Sequence, residues 1–262
     1  MDVKTHHVQL PDSSTPLPQA LGQAFQLPIS NLQIAQLAHR AEVEFVGVNC
    51  GIMDQMIAAL GAPDHALLMD CRSLATQLVP IPDTVAIVVA DTMKRRELVD
   101  SKYNERRAEC EQGARLLGVH SLRDVSLTEF ERQQARLPEV VRRRCRHVVS
   151  ENERVLRCVE ALRAGQLAEV GRALYQSHVS LRDDYAVSCH DLDVMVELAM
   201  QQRGVVGARM TGAGFGGCTV NVVHKDDAAQ FAHNLSTAYQ QAVEVAPSVY
   251  VCEASQGVEV VT

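Results

Sequence analysis

The chain has no tryptophan, and its five tyrosines and five phenylalanines make aromatic residues only 4% of 262. It also lacks positive charge, with 25 Lys and Arg against 32 Asp and Glu, a net charge of −7 and a pI near 5.8. Nucleic-acid binding needs a basic surface, commonly interleaved with rings, and neither condition is met. No apolar run approaches the roughly 20 residues of a membrane span. The opening MDVKTHHVQLPDSSTPLP is polar and interrupted by proline rather than signal-like, so a cytoplasmic location and no membrane partner are expected. Metal-type spacing is missing too. Cys50, Cys71, Cys110, Cys145, Cys158, Cys189, Cys218 and Cys252 form no CxxC pair and stand at no zinc-finger spacing from histidine, which predicts reduced thiols and no metal ligand.

What is present is the composition of a folded protein, 47% hydrophobic and 22% charged. Residues 1–19 hold three prolines and a Ser-Ser-Thr cluster without periodicity, and predict a disordered leader. From Ala20 the apolar positions recur at three- and four-residue steps, predicting two helices broken at Pro28, with Ser30 as the N-cap of the second. HALLMDC, TQLVPIP and TVAIVVADT then predict three strands. Four amphipathic helices follow: from SKYNERRAECEQGARLLG, from Pro138 to Arg163, from LAEVGRALYQSHVSL and from HDLDVMVELAMQQ. The end returns to strand in VVGARMT and CTVNVVH, inserts a helix from Asp226 to about Val243, and closes with SVYVCEA and GVEVV as strands. Strands grouped apart from helices indicate an α+β fold with a mainly antiparallel sheet. The basic run Arg142, Arg143, Arg144 and Arg146 lies in a helical pattern, where successive side chains fan around the axis, and predicts a solvated face.

Gly212-Ala213-Gly214-Phe215-Gly216-Gly217 satisfies G-x-G-x-x-G, a dinucleotide-binding pattern when its third glycine opens a helix. Here the alternating Cys218-Thr219-Val220-Asn221-Val222-Val223 follows instead, predicting an antiparallel hairpin across Arg209 to Val220. Such a tip exposes amides that attract anionic oxygens, or its glycines merely supply positive φ. Asp54, beside Gly51 in the apolar CGIMDQ, is a helix cap or a catalytic acid. Arg95 and Tyr103 read alone as surface charge and a half-buried ring.

HRAEVEFVGVNCGIMDQMIAALG, HALLMDCRSL, SKYNERRAECE, SHVSLRDDY and RMTGAGFGGCTV, in that order, resemble the central and C-terminal part of the galactokinases, of the GHMP kinase superfamily. The resemblance runs from about Ala20 to Gly257. It implies a GHMP-type C-terminal domain over residues 63–262 and a remnant of the N-terminal domain over 20–62. It further implies transfer of a phosphoryl group from ATP, with Mg2+, to the anomeric hydroxyl of galactose, giving galactose 1-phosphate. By the same resemblance Asp54 contacts that hydroxyl as its base, with Arg95 the cation beside it. Gly51 lines the sugar pocket and Tyr103 contacts the sugar. Gly212, Gly214, Gly216 and Gly217 belong to the glycine motif near the phosphate. Two family motifs are not among these residues: the Arg, Glu, His and Asp sugar cluster and the Gly-Leu-Ser-Ser-Ser phosphate loop. Ala213 stands where the family has a glycine. The expectations are a truncated chain, inactive or weakly active alone, whose exposed apolar surface calls for the missing N-terminal half or for self-association. A non-catalytic sugar-binding or interaction module is the alternative.

Overall fold

A computed structural model describes residues 16–46, 50–95 and 99–258. The expected strand at GVEVV falls partly outside these, and Gly257 and Val258 are not strand. The chain divides into two compact units, residues 1–83 with 252–262, and residues 84–251.

The first unit contains α1 (Pro16–Ala24), α2 (Asn31–Arg40) continuing into a π-helical turn (Ala41–Val46), α3 (Met53–Leu60), β1 (His65–Met69) and β2 (Thr76–Pro80). The helix break at Pro28 and the Ser30 cap are present. Ser30 accepts from the Gln33 amide while the Gln33 side chain takes the Ser30 amide, a reciprocal capping box. The leader expected over 1–19 overlaps α1 at residues 16–19, and residues 1–15 lie outside the described structure. Ala35, Met56 and Ala59 form the core of the unit, with Leu67, Met69, Leu74 and Val258 packed against it. In that packing residues 63–83 fall in the same compact unit as α2 and α3. β1 and β2 pair antiparallel in a sheet of their own, and the C-terminal strap returns with the Gly257 amide on the Gly61 carbonyl (2.9 Å). The hairpin therefore belongs with α2 and α3 and not with the strand that follows it.

The second unit contains β3 (Val85–Asp91), α4 (Val99–Leu117), α5 (Leu127–Gln133), α6 (Glu139–Arg163), α7 (Leu167–Asp183), α8 (His190–Met200), β4 (Val205–Met210), β5 (Cys218–His224), α9 (Ala228–Val243) and β6 (Ser248–Cys252). Its sheet has the order β4-β5-β3-β6, with β5 antiparallel to both β3 and β4. Among the described residues five α-helices, not four, lie between β3 and β4, because Ser126 and Glu129 close a second capping box and start α5 in a stretch too short to show periodicity. α8 and α9 cover one face of the sheet through Met195, Val196, Phe231, Leu235 and Tyr239, all at most 1% exposed. α4, α5 and α6 enclose a separate core around Phe130, Val141 and Cys145. All eight cysteines are free thiols, and burial holds the Cys145 thiol up at about 12.

Between α6 and α7, His147 shares a hydrogen bond with Ser180 (3.0 Å) and stacks on Tyr185 at 4.6 Å. Burial, then the charges of Arg154, Arg209 and Arg144, lower its pKa to about 3. Between that value and an unfolded-state pKa near 6.5 the unfolded chain binds the extra proton. Stability is therefore full above about pH 6.5 and falls by about 1.4 kcal/mol per pH unit as pH drops toward 3. Urea midpoints at pH 7 and pH 5 check this. The acid loss should flatten in His147→Gln, and an unchanged slope would assign it to other groups.

Candidate active site

Asp54 is the second residue of α3, exposed in the first turn, where the helix dipole favours a carboxylate. The residues around it are fixed by contacts that no motif names. His39 bonds the Cys50 carbonyl (3.0 Å), while Glu42 accepts from the Gln55 amide (2.8 Å) and the Cys50 thiol (3.3 Å). Gln55 is 2% exposed, so burial of its side chain turns its neighbour Asp54 outward. Burial, with Glu42 next, pushes the Cys50 thiol up to about 11, which makes it a hydrogen-bond donor and a poor nucleophile. His39, Glu42 and Gln55 show no signal in the sequence, since their partners lie 8 to 13 residues away along the chain. Gly51 is exposed, has no positive φ, and a Cβ there would meet nothing within 4 Å. The fold alone gives no reason for glycine at that position.

In the second unit the expected hairpin is present. Met210 pairs with Thr219, and the Thr211 amide reaches the Cys218 carbonyl at 2.9 Å. Gly217 leads into a strand rather than a helix, so the dinucleotide reading fails on topology. Four glycines of the turn, Gly212, Gly214, Gly216 and Gly217, have positive φ, as does Phe215 at +60°. Gly214 and Gly216 also allow close approach, because a Cβ would lie 2.1 Å from the Val187 oxygen and 2.6 Å from the Lys94 oxygen respectively. Ala213 is not in the left-handed region, and its methyl is accommodated without backbone strain. Farther along the turn, the Phe215 amide donates to Val187 (2.7 Å) and the Gly217 amide to Lys94 (3.1 Å). Those of Gly212, Ala213 and Gly214 make no hydrogen bond among the described residues.

Arg95 and Tyr103 each follow a residue that contacts this turn, Lys94 and Lys102 respectively. Arg95 is exposed and follows Lys94, while the Thr92 amide and hydroxyl both donate to the Gly217 carbonyl (3.1 and 2.7 Å). Tyr103, 37% exposed on α4, adjoins Lys102, whose ammonium lies 4.9 Å from the centre of the Phe215 ring. The structure thus gathers Arg95, Tyr103 and the glycine turn within one unit and places Gly51 and Asp54 in the other. Among the described residues no three His, Cys, Asp or Glu side chains cluster to hold a metal ion. No described helix is long and apolar enough to cross a membrane.

The family model for the GHMP kinases N terminal domain matches residues 17–62, and that for GHMP kinases C terminal matches residues 158–241. A galactokinase of Roseiflexus sp. (strain RS-1) is 48% identical over 255 residues, covering 94% of this chain and 65% of the relative. A galactokinase of Pasteurella multocida (strain Pm70) is 45% identical, covering 95% of this chain and 66% of the relative. The chain thus spans just under two thirds of the length of these relatives. The solved Lactococcus lactis galactokinase, complexed with galactose, superposes with a TM-score of 0.86 at 37% identity, covering 91% of this chain and 63% of that one. Mevalonate kinase from L. major, with a TM-score of 0.62 at 17% identity, shares the fold. With both halves of the family pattern matched and galactokinases as its relatives along nearly its whole length, the chain belongs to the GHMP kinase family.

Proposed function

We propose that this chain carries the acceptor-activating part of a galactokinase, which transfers the γ-phosphoryl group of ATP to the anomeric hydroxyl of galactose. The observation that carries the reading is an exposed Asp54 at a helix N-terminus, beside a glycine the fold does not require, in a chain 37% identical to a galactokinase solved with galactose. Asp54 accepts a hydrogen bond from the sugar's anomeric hydroxyl and takes its proton as that oxygen attacks phosphorus. Gly51 lets the sugar ring approach the backbone beside Asp54, and Arg95 is the cation that the resemblance to the galactokinases assigns to the reaction. Tyr103 bonds a second hydroxyl. The tip amides of Gly212 to Gly214 face the transferred phosphate, where developing negative charge is stabilised. A magnesium ion would neutralise charge on the nucleotide. Among the described residues no three His, Cys, Asp or Glu side chains cluster to hold one.

The 262-residue sequence contains no Gly-Leu-Ser-Ser-Ser segment. Supplied with galactose and ATP·Mg, the chain is expected to release no ADP. Extended by a relative's N-terminal segment carrying that loop, it is expected to release ADP only when galactose is present. Turnover of another sugar with none of galactose would overturn the substrate. Turnover by the unextended chain would overturn the need for the loop.

Tyr103→Phe in the extended chain removes one sugar hydrogen bond, worth about 0.5–1.5 kcal/mol, so the galactose KM should rise about two- to tenfold with kcat little changed. A fall in kcat at constant KM would place Tyr103 in the transition state instead.

A further inference from the structure

The arginine run of α6 is not a solvated face. Arg143 donates to the carbonyl of Asp183 and Arg144 to that of Asp184, while Arg146 lies 3.4 Å from the Asp184 carboxylate. The last carbonyls of a helix have no intrahelical donor and carry the negative end of its dipole, so guanidinium groups cap α7 well. Arg144 is 7% exposed, and its Nε also donates to Glu109 of α4 (3.0 Å), which takes a second bond from Arg106. One side chain thus joins α4, α6 and the end of α7.

The turn after α7 leads to the candidate site. Ala186 takes φ +54°, the Val187 amide donates to the Leu181 carbonyl (3.0 Å), and the Val187 carbonyl accepts from the Phe215 amide (2.7 Å). That carbonyl is also the atom nearest Gly214, leaving no room for a side chain there. The glycine turn is therefore held at its middle by Val187 as well as at its ends by the β4–β5 ladder.

We infer that Arg144 is a positioning residue for the glycine turn 211–217, acting through the 183–187 turn. The purpose of the glycine turn rests on the galactokinase reading, whereas its placement by Arg144 does not. Site-resolved amide hydrogen exchange on the 262-residue chain tests this. Arg144→Met should speed exchange at Phe215 by about tenfold or more while Val220 and Val222 in β5 keep their rates. Arg144→Lys, a point charge unable to reach Glu109 and the Asp184 carbonyl together, should show a smaller effect at the same amide. Arg143→Gln should act in the same direction, and it carries the test if Arg144→Met does not fold. Arg142, which pairs with Glu139 of its own helix, is the control, and Arg142→Gln should leave Phe215 unchanged. Unchanged exchange at Phe215, or acceleration in equal proportion along β5, would overturn the inference. In the extended chain, Arg144→Lys should lower kcat with the galactose KM preserved. Local acceleration at Phe215 together with an extended chain that never phosphorylates galactose would sink the galactokinase reading and leave the positioning role standing.

Discussion

Asp54→Ala in the phosphate-loop-extended chain is expected to lower kcat for galactose by about 10² to 10⁴, the usual contribution of a positioned general base. The fold should survive. Asp54 is exposed on α3, and a first-turn carboxylate contributes about 0.3–1 kcal/mol through the helix dipole. The core of its unit is formed by Ala35, Met56 and Ala59, which the substitution leaves in place. Asp54→Asn keeps the shape and one acceptor oxygen but cannot take a proton, so it should be nearly as slow as alanine if proton transfer matters and close to wild type if orientation suffices. The measurement is ADP release at saturating galactose beside a thermal melt of each variant. Wild-type turnover in Asp54→Ala would remove this carboxylate from the mechanism.

Gly171→Ala is expected to produce the largest loss of stability in the second unit, about 3 kcal/mol or more, as overpacking against backbone does. Gly171 lies in α7 where the helix crosses β4, and a Cβ there would stand 1.8 Å from the Val206 oxygen. The strand answers with a glycine of its own, since a Cβ on Gly207 would lie 2.5 Å from the Gly171 Cα. Neither side can yield through a rotamer, because both obstacles are main chain, so helix and sheet must separate. For a domain of this size the melting temperature should drop by about 6–12 °C. His178 reports the separation, since its Nδ1 accepts the Met210 amide (3.3 Å) and its Nε2 lies 3.3 Å from Asp193, linking α7 to β4 and α8. Protection of the Met210 amide should fall with the melting temperature. A variant as stable as the parent would show that the helix can lift off the strand at little cost.

Gly171 marks what sequence reading reaches and where it stops. In a helical pattern a glycine costs about 1 kcal/mol relative to alanine, so helix propensity by itself favours Gly171→Ala. Tertiary contact reverses the sign. The sequence by itself determined the elements whose signal is local: the break at Pro28, the Ser30 cap, the alternating strands, and the turn through Gly212 to Gly217, where a strand follows the third glycine. These depend on period and on backbone conformations that one or two residues impose. It also determined the family resemblance, because five motifs in order identify a pattern that no single one does. Only the tertiary structure decided which partners satisfy buried polar groups. Arg142, Arg143, Arg144 and Arg146 look alike in the sequence. Arg143, Arg144 and Arg146 clamp the end of α7, and Arg142 pairs within its own helix, because each points at a different azimuth and burial selects those with an acceptor. Likewise β1 and β2 read as companions of β3, but Leu67, Met69 and Leu74 place them on α2 and α3. Strand propensity makes a strand, whereas the choice of sheet depends on which apolar face lies nearby to be covered.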